Sequence, residues 1–171
     1  MFQDASCNLQ EVITYRRKNF MVDYQFVVIT EIVLKAEKDS EKIVILKEDK
    51  ESDTSLTMFV GEPEFLAIAK EKKLVQTPRP LTHELYLNIL AETEIEFLRV
   101  EIYDLRDQTY FAKVIYKKDG DEMAADARPS DTLALALHYN LPIWVHVKLL
   151  RRELTSEQVE TYKDLIRSVK F

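Results

Sequence analysis

Blocks of alternating and helical periodicity divide the chain. Residues 24–35 (YQFVVITEIVLK) are rich in β-branched and aromatic side chains and predict a strand, with further strands at 42–47 and 56–60. After Gly61, Phe65, Leu66, Ile68 and Ala69 fall on one helical face and predict a helix over 62–73. Leu81, Leu85 and Ile89, four apart, predict a second helix over 82–91. Residues 94–105, 108–117 and 122–127 alternate like paired strands. Arg106-Asp107 and the Lys118-Asp119-Gly120-Asp121 turn separate them, so an antiparallel meander is expected.

Residues 130–139 predict a third helix, apolar on most sides, and 142–147 a short strand. Thr155 followed by Gln158 has the spacing of a capping box and predicts a last helix reaching about residue 168. Strands first, then helices mixed with a meander, imply an α+β fold: one domain with a mostly antiparallel twisted sheet and three to four helices. The expected divisions are an extension at 1–23, the domain at 24–150 and a helical extension at 151–171.

Composition narrows the class. With 46% hydrophobic and 32% charged residues, the 171-residue chain has a globular balance and room for one core. There are only two glycines, so each is expected to mark a definite turn. The lone Cys7 can form no internal disulfide and has no basic partner in a recognisable arrangement beside it. Neither a signal peptide nor an apolar run of membrane-spanning length is visible, and a cytoplasmic location without membrane attachment is expected. A net charge of −6 argues against a protein coated in positive charge for duplex binding. It leaves open a nuclease whose carboxylates work with divalent cations. Open sheet edges, with few prolines or bulges to blunt them, lead to the expectation of a homodimer.

Candidate chemistry comes from two segments that echo each other, Arg79-Pro80-Leu81-Thr82 and Arg128-Pro129-Ser130-Asp131. In each, an arginine precedes a proline and then a good helix-capping residue. Proline forces extended geometry on the residue before it, and a helix start presents free N–H groups, so phosphate or carboxylate is favoured there. Arg79, Thr82, Arg128 and Ser130 are the candidate anion-binding residues. The alternative is architectural: each arginine pairs with a nearby carboxylate such as Glu84, Asp126 or Asp131 and fixes a helix start. His83 opens the second helix and is a usable acid or base near neutral pH. Asp126 and Asp131 flank the third helix's start and could hold a metal, although no spacing such as HExxH or CxxC supports one. His138 and His146 read as structural.

The runs MFVGEPEFLAIA (58–69), TPRPLTHELYLNIL (77–90), VEIYDLRDQTYFAKVIY (100–116) and DARPSDTLALALHYNLPIWV (126–145), in that order and spacing, resemble the bifunctional nuclease domain family. The resemblance spans about residues 24–150, and PRPLTHEL together with DARPSD is what makes it specific. By position it carries over Glu62 and Glu64, Arg79, Pro80, Thr82 and His83, Asp104, and Asp126, Arg128, Pro129, Ser130 and Asp131. It implies cleavage of DNA and RNA. Asp126, Asp131 and Glu62 would bind Mg²⁺ or Mn²⁺, and His83, Asp126 and Asp131 would be catalytic. A non-catalytic module that binds an anion or a partner through the same helix starts is the rival expectation.

Overall fold

The computed structural model describes residues 25–36 and 42–152. The expected extension at 1–23 and the capping-box helix after Thr155 lie outside the described residues.

The first predicted strand is two strands. β1 (Phe26–Ile29) and β2 (Glu31–Ala36) belong to different sheets. Between them the Thr30 N–H donates to the carbonyls of Lys47 and Glu48, and its hydroxyl donates to the Glu48 carbonyl at 2.5 Å. A single residue thus passes the chain from one sheet to the other, which the unbroken β-branched run conceals. β2 pairs antiparallel with β3 (Lys42–Lys47), β3 with β4 (Thr54–Val60), and β4 with the two-residue β9 (Arg151–Arg152).

The other sheet runs β1-β8-β5-β6-β7. Here β5 (Glu96–Arg106), β6 (Thr109–Lys118) and β7 (Asp121–Ala127) form the expected meander. Its turns are two residues each: Asp107 and Gln108 at φ 45° and 60°, then Asp119 and Gly120 at 54° and 90°. Positive φ at both central positions matches the twist of a hairpin, and at Gly120 glycine meets that torsion without strain. Gly61 differs: its φ is −69°, an ordinary value. Space is what matters there, because a Cβ would strike the Glu64 carboxylate.

Three helices complete the described fold: α1 (Glu62–Glu71), α2 (Thr82–Leu90) and α3 (Pro129–Tyr139). α3 carries the chain from β7 back to β8 (Ile143–His146), which lies parallel to β5 as such a crossover permits. One core joins the layers. Val44, Leu46 and Leu56 from one sheet meet Val100, Ile102 and Val145 from the other, with Ile68 of α1 and Leu133 of α3 between them. Each is at most 1% exposed, and burying side chains of this size contributes about 1.5–3 kcal/mol apiece. The chain is therefore a single α+β domain with mostly antiparallel sheets, and its helix starts are fixed against the core.

Candidate functional site

The PRPL segment is pinned to α1 by Lys70. Its ammonium donates to the Thr77 hydroxyl and to the Glu84 carboxylate, both at 2.5 Å, and to the Arg79 carbonyl at 3.4 Å. Glu84 also reaches back to accept the Leu81 N–H at 2.6 Å. The N-cap of α2 is therefore Leu81 rather than Thr82, and the side chain that closes the helix start is a glutamate one turn in. Likewise Arg128, not Ser130, is the N-cap of α3, and Pro129 occupies the first helical position, where it leaves no N–H to satisfy. At α3 the X-Pro step makes this shift, because Pro129 forces extended φ/ψ on Arg128; at α2 the extended residue is Leu81, which follows Pro80.

Burial works against ionisation of Glu84, but Lys70 and the Leu81 N–H outweigh it and hold the carboxyl below its ordinary value of 4.5. A lowered folded value stabilises above the unfolded one and is lost as pH falls. Glu84→Gln is accordingly expected to cost about 1 kcal/mol at pH 7 and to flatten the loss of stability below about pH 4.5. Urea unfolding at pH 7 and pH 3 measures both, and equal destabilisation of the variant at the two pH values would contradict the assignment.

Arg128 is the centre of a three-residue ionic network. Its Nε and Nη2 donate to the two oxygens of Asp131 at 2.8 and 3.0 Å, and Nη1 donates to Glu64 Oε1 at 2.9 Å. Hydrogen bonds and charge from Asp131, ahead of those from Glu64, hold the guanidinium further above its usual value. Gly61 leaves the room in which Glu64 folds back to take this position.

A cleft of about 510 Å³ opens between the three helices, and both Arg-Pro segments contribute to its wall. Leu81, Thr82 and His83 come from the first, and Arg128, Ser130 and Asp131 from the second. Behind His83 lies a group that sequence reasoning missed. His83 Nε2 stands 3.1 Å from Glu71 Oε1, and His138 Nδ1 lies 3.2 Å from both oxygens of the same carboxylate. Glu71 is nearly buried, with 12% of its side chain exposed, so one carboxylate ties together α1, α2 and α3. A signal for it existed: Glu64 and Glu71 are seven residues apart on α1, which places both on one helical face.

The remaining expected site residues lie elsewhere. Arg79 is exposed, does not line the cleft and makes no ion pair with the described residues. Asp126 is exposed on the edge strand β7, opposite Lys113, and is also absent from the cleft wall. Glu62 pairs with Lys42 at 3.3 Å. Asp104 is taken by Lys148 at 2.7 Å and Arg106 at 2.6 Å, which hold its carboxyl well below the usual range. Asp126, Asp131 and Glu62 do not fit together as a metal-ligand set: the first lies outside the cleft and the others are held by cations. Among the described residues no three His, Cys, Asp or Glu side chains are grouped to hold a metal ion.

This geometry belongs to a single α+β domain in which both Arg-Pro segments reach one cleft between three helices. The chain is a member of the bifunctional nuclease domain family, which matches residues 44–158. Two uncharacterized proteins of Mycobacterium tuberculosis, from strains CDC 1551 / Oshkosh and ATCC 25618 / H37Rv, are similar to it. Each is 30% identical over 151 residues, covering 80% of this chain and 90% of the relative. Among the described residues no helix is long and apolar enough to cross a membrane.

Proposed function

We propose that this domain hydrolyses phosphodiester bonds of nucleic acid at the three-helix cleft. The observation that carries the reading is His83 on the cleft wall, held through Nε2 by the nearly buried Glu71. A carboxylate behind an imidazole fixes its orientation and its tautomer, which is what a general base or acid requires. Nδ1 is left to face substrate. In the step proposed, a water oxygen bonds to phosphorus, His83 accepts the water proton, the P–O bond to the leaving oxygen breaks, that oxygen takes a proton from solvent water, and His83 returns its own proton to solvent. Arg128 uses three of its five N–H groups on Glu64 and Asp131, so two remain to hold a phosphoryl oxygen.

Mg²⁺ or Mn²⁺ enters the proposal through charge and not through a ligand set: at −6 the chain has no surplus of cations to offer a polyanion. The test uses labelled single- and double-stranded DNA and RNA with purified protein in Mg²⁺, Mn²⁺ or EDTA. Cleavage by the wild-type chain that is lost in His83→Ala supports the reading, and no cleavage in any of the three conditions overturns it. A homodimer formed through an open sheet edge, such as β7, belongs to the same proposal.

A second reading, a non-catalytic module binding an anionic partner, is favoured by one observation. Arg79 stands exposed just before the start of α2, without an ion pair among the described residues. Binding of oligonucleotide that Arg79→Ala abolishes, without cleavage under any condition, would select it.

A further inference from the structure

The cleft is unlike a channel for the sugar-phosphate backbone. Its floor is apolar, formed by Leu66, Ala67, Leu87, Ala134 and Leu135, and the ring of Tyr86 stands at its edge, 61% exposed. Its charged lining is two carboxylates, Glu64 and Asp131, against the single guanidinium of Arg128. A groove that tracks a run of phosphates would carry an excess of cations, whereas this balance leaves Arg128 to meet a single phosphoryl oxygen and offers nothing to a chain of them.

Hydrogen-bonding capacity below the rim comes from Ser130. The residue is 9% exposed, it lines the cleft, and its hydroxyl has no hydrogen-bond partner among the described residues. No fully buried side-chain polar atom there lacks a partner, so the Ser130 oxygen is reached from the cleft. A hydroxyl at this depth is hydrated from the cleft, and a ligand atom with matching polarity can take the place of that water. An apolar floor, an aromatic edge, one deep hydroxyl and acceptors on the rim together match a flat ring with a polar edge, in a volume typical of small-ligand sites.

We propose that the cleft holds one unstacked base of a single-stranded nucleic acid. The inference rests on the nucleic-acid reading above and adds the strand class. The ring lies on the apolar floor beside Tyr86, and Ser130 Oγ meets its polar edge. Glu64 or Asp131 accepts from an exocyclic amine. The scissile phosphate sits at the rim, within reach of Arg128 and His83, and the flanking phosphates stay outside, on the side from which Arg79 leads into the cleft wall at Leu81. Single strands are then preferred to duplexes, because a paired base must first be pulled from its stack.

The test is binding by the full chain, measured by calorimetry and ligand-observed NMR with adenosine, cytidine and ribose 5-phosphate as probes. The nucleosides are expected to bind and ribose 5-phosphate to bind far more weakly. Tyr86→Ala should weaken nucleoside binding about tenfold or more, and Ser130→Ala should weaken it without lowering the melting temperature. Ribose 5-phosphate binding as tightly as the nucleosides would overturn the proposal, as would the absence of nucleoside binding at millimolar concentration. A chain that cleaves nucleic acid but binds no nucleoside sinks this inference and leaves hydrolysis standing. Nucleoside binding without cleavage does the reverse.

Discussion

Replacing His83 with alanine is expected to slow phosphodiester cleavage by about 10²- to 10⁴-fold, the range lost with a general acid or base. The substitution also removes one of the two imidazoles on Glu71, so its structural cost has to be separated from its chemical one. His138 still donates to that carboxylate through Nδ1, and no charge is left in the core without a partner. The melting temperature should therefore fall by only a few degrees. Two companions sharpen the result. Glu71→Gln keeps the shape but can turn its amide to donate, so it no longer fixes the imidazole by accepting from Nε2, and it should lower the rate. His138→Gln is expected to leave the rate nearly where it was, because His138 touches Glu71 and does not line the cleft. If His83→Ala cleaves at the wild-type rate, the imidazole has no part in the chemistry and His83 is a helix tie alone.

The sequence made the meander legible because its signals are local. Asp119-Gly120 can turn in two residues, and the flanking segments alternate with the period of a strand. The same holds for α1 and α3, whose apolar stripes need no knowledge of their partners. α2 forms where its period predicts a helix, but Leu85 and Ile89 of the predicted stripe are exposed and Leu87 is the residue it buries. What stayed hidden were the handoffs and pairings between distant segments. Thr30 ends one strand and begins another because Lys47 and Glu48 accept its N–H, 17 and 18 residues on. The site divides along the same line. PRPLTHEL and DARPSD were visible as motifs, and both reach the cleft, but a motif does not say which of its polar groups is already taken. Arg79 and Arg128 look equivalent in sequence. Yet Arg79 stands free of ion pairs among the described residues, while Arg128 is gripped by Glu64 from a helix 64 residues away in the chain. Glu71 had no motif around it at all, and only the packing of three helices gives it two histidines.

Arg128 separates architecture from function more sharply than any other residue. Its side chain is 67% exposed and its partner Asp131 49%, so solvent screens the network despite its bidentate geometry. Exposed pairs of this kind contribute about 0.2–1 kcal/mol each, and for Arg128→Ala a stability loss of about 1 kcal/mol is expected. Against this, removing a preorganised donor from a developing oxyanion typically costs 10²- to 10³-fold in rate, and a similar loss of cleavage is expected here. Arg128→Lys provides the control. An ammonium keeps the charge near Glu64 and Asp131 but cannot grip Asp131 through two nitrogens while pointing a third at Glu64, so the variant should remain as stable as Arg128→Ala or better and still lose most of the rate. Urea unfolding and initial-rate measurements on the same preparations check both halves. A loss of several kcal/mol in Arg128→Ala, with undiminished turnover at a temperature where it is folded, would show that the arginine is there to fix the start of α3. Intact stability with cleavage reduced a hundredfold would show that the carboxylates around it serve to aim the guanidinium at a substrate.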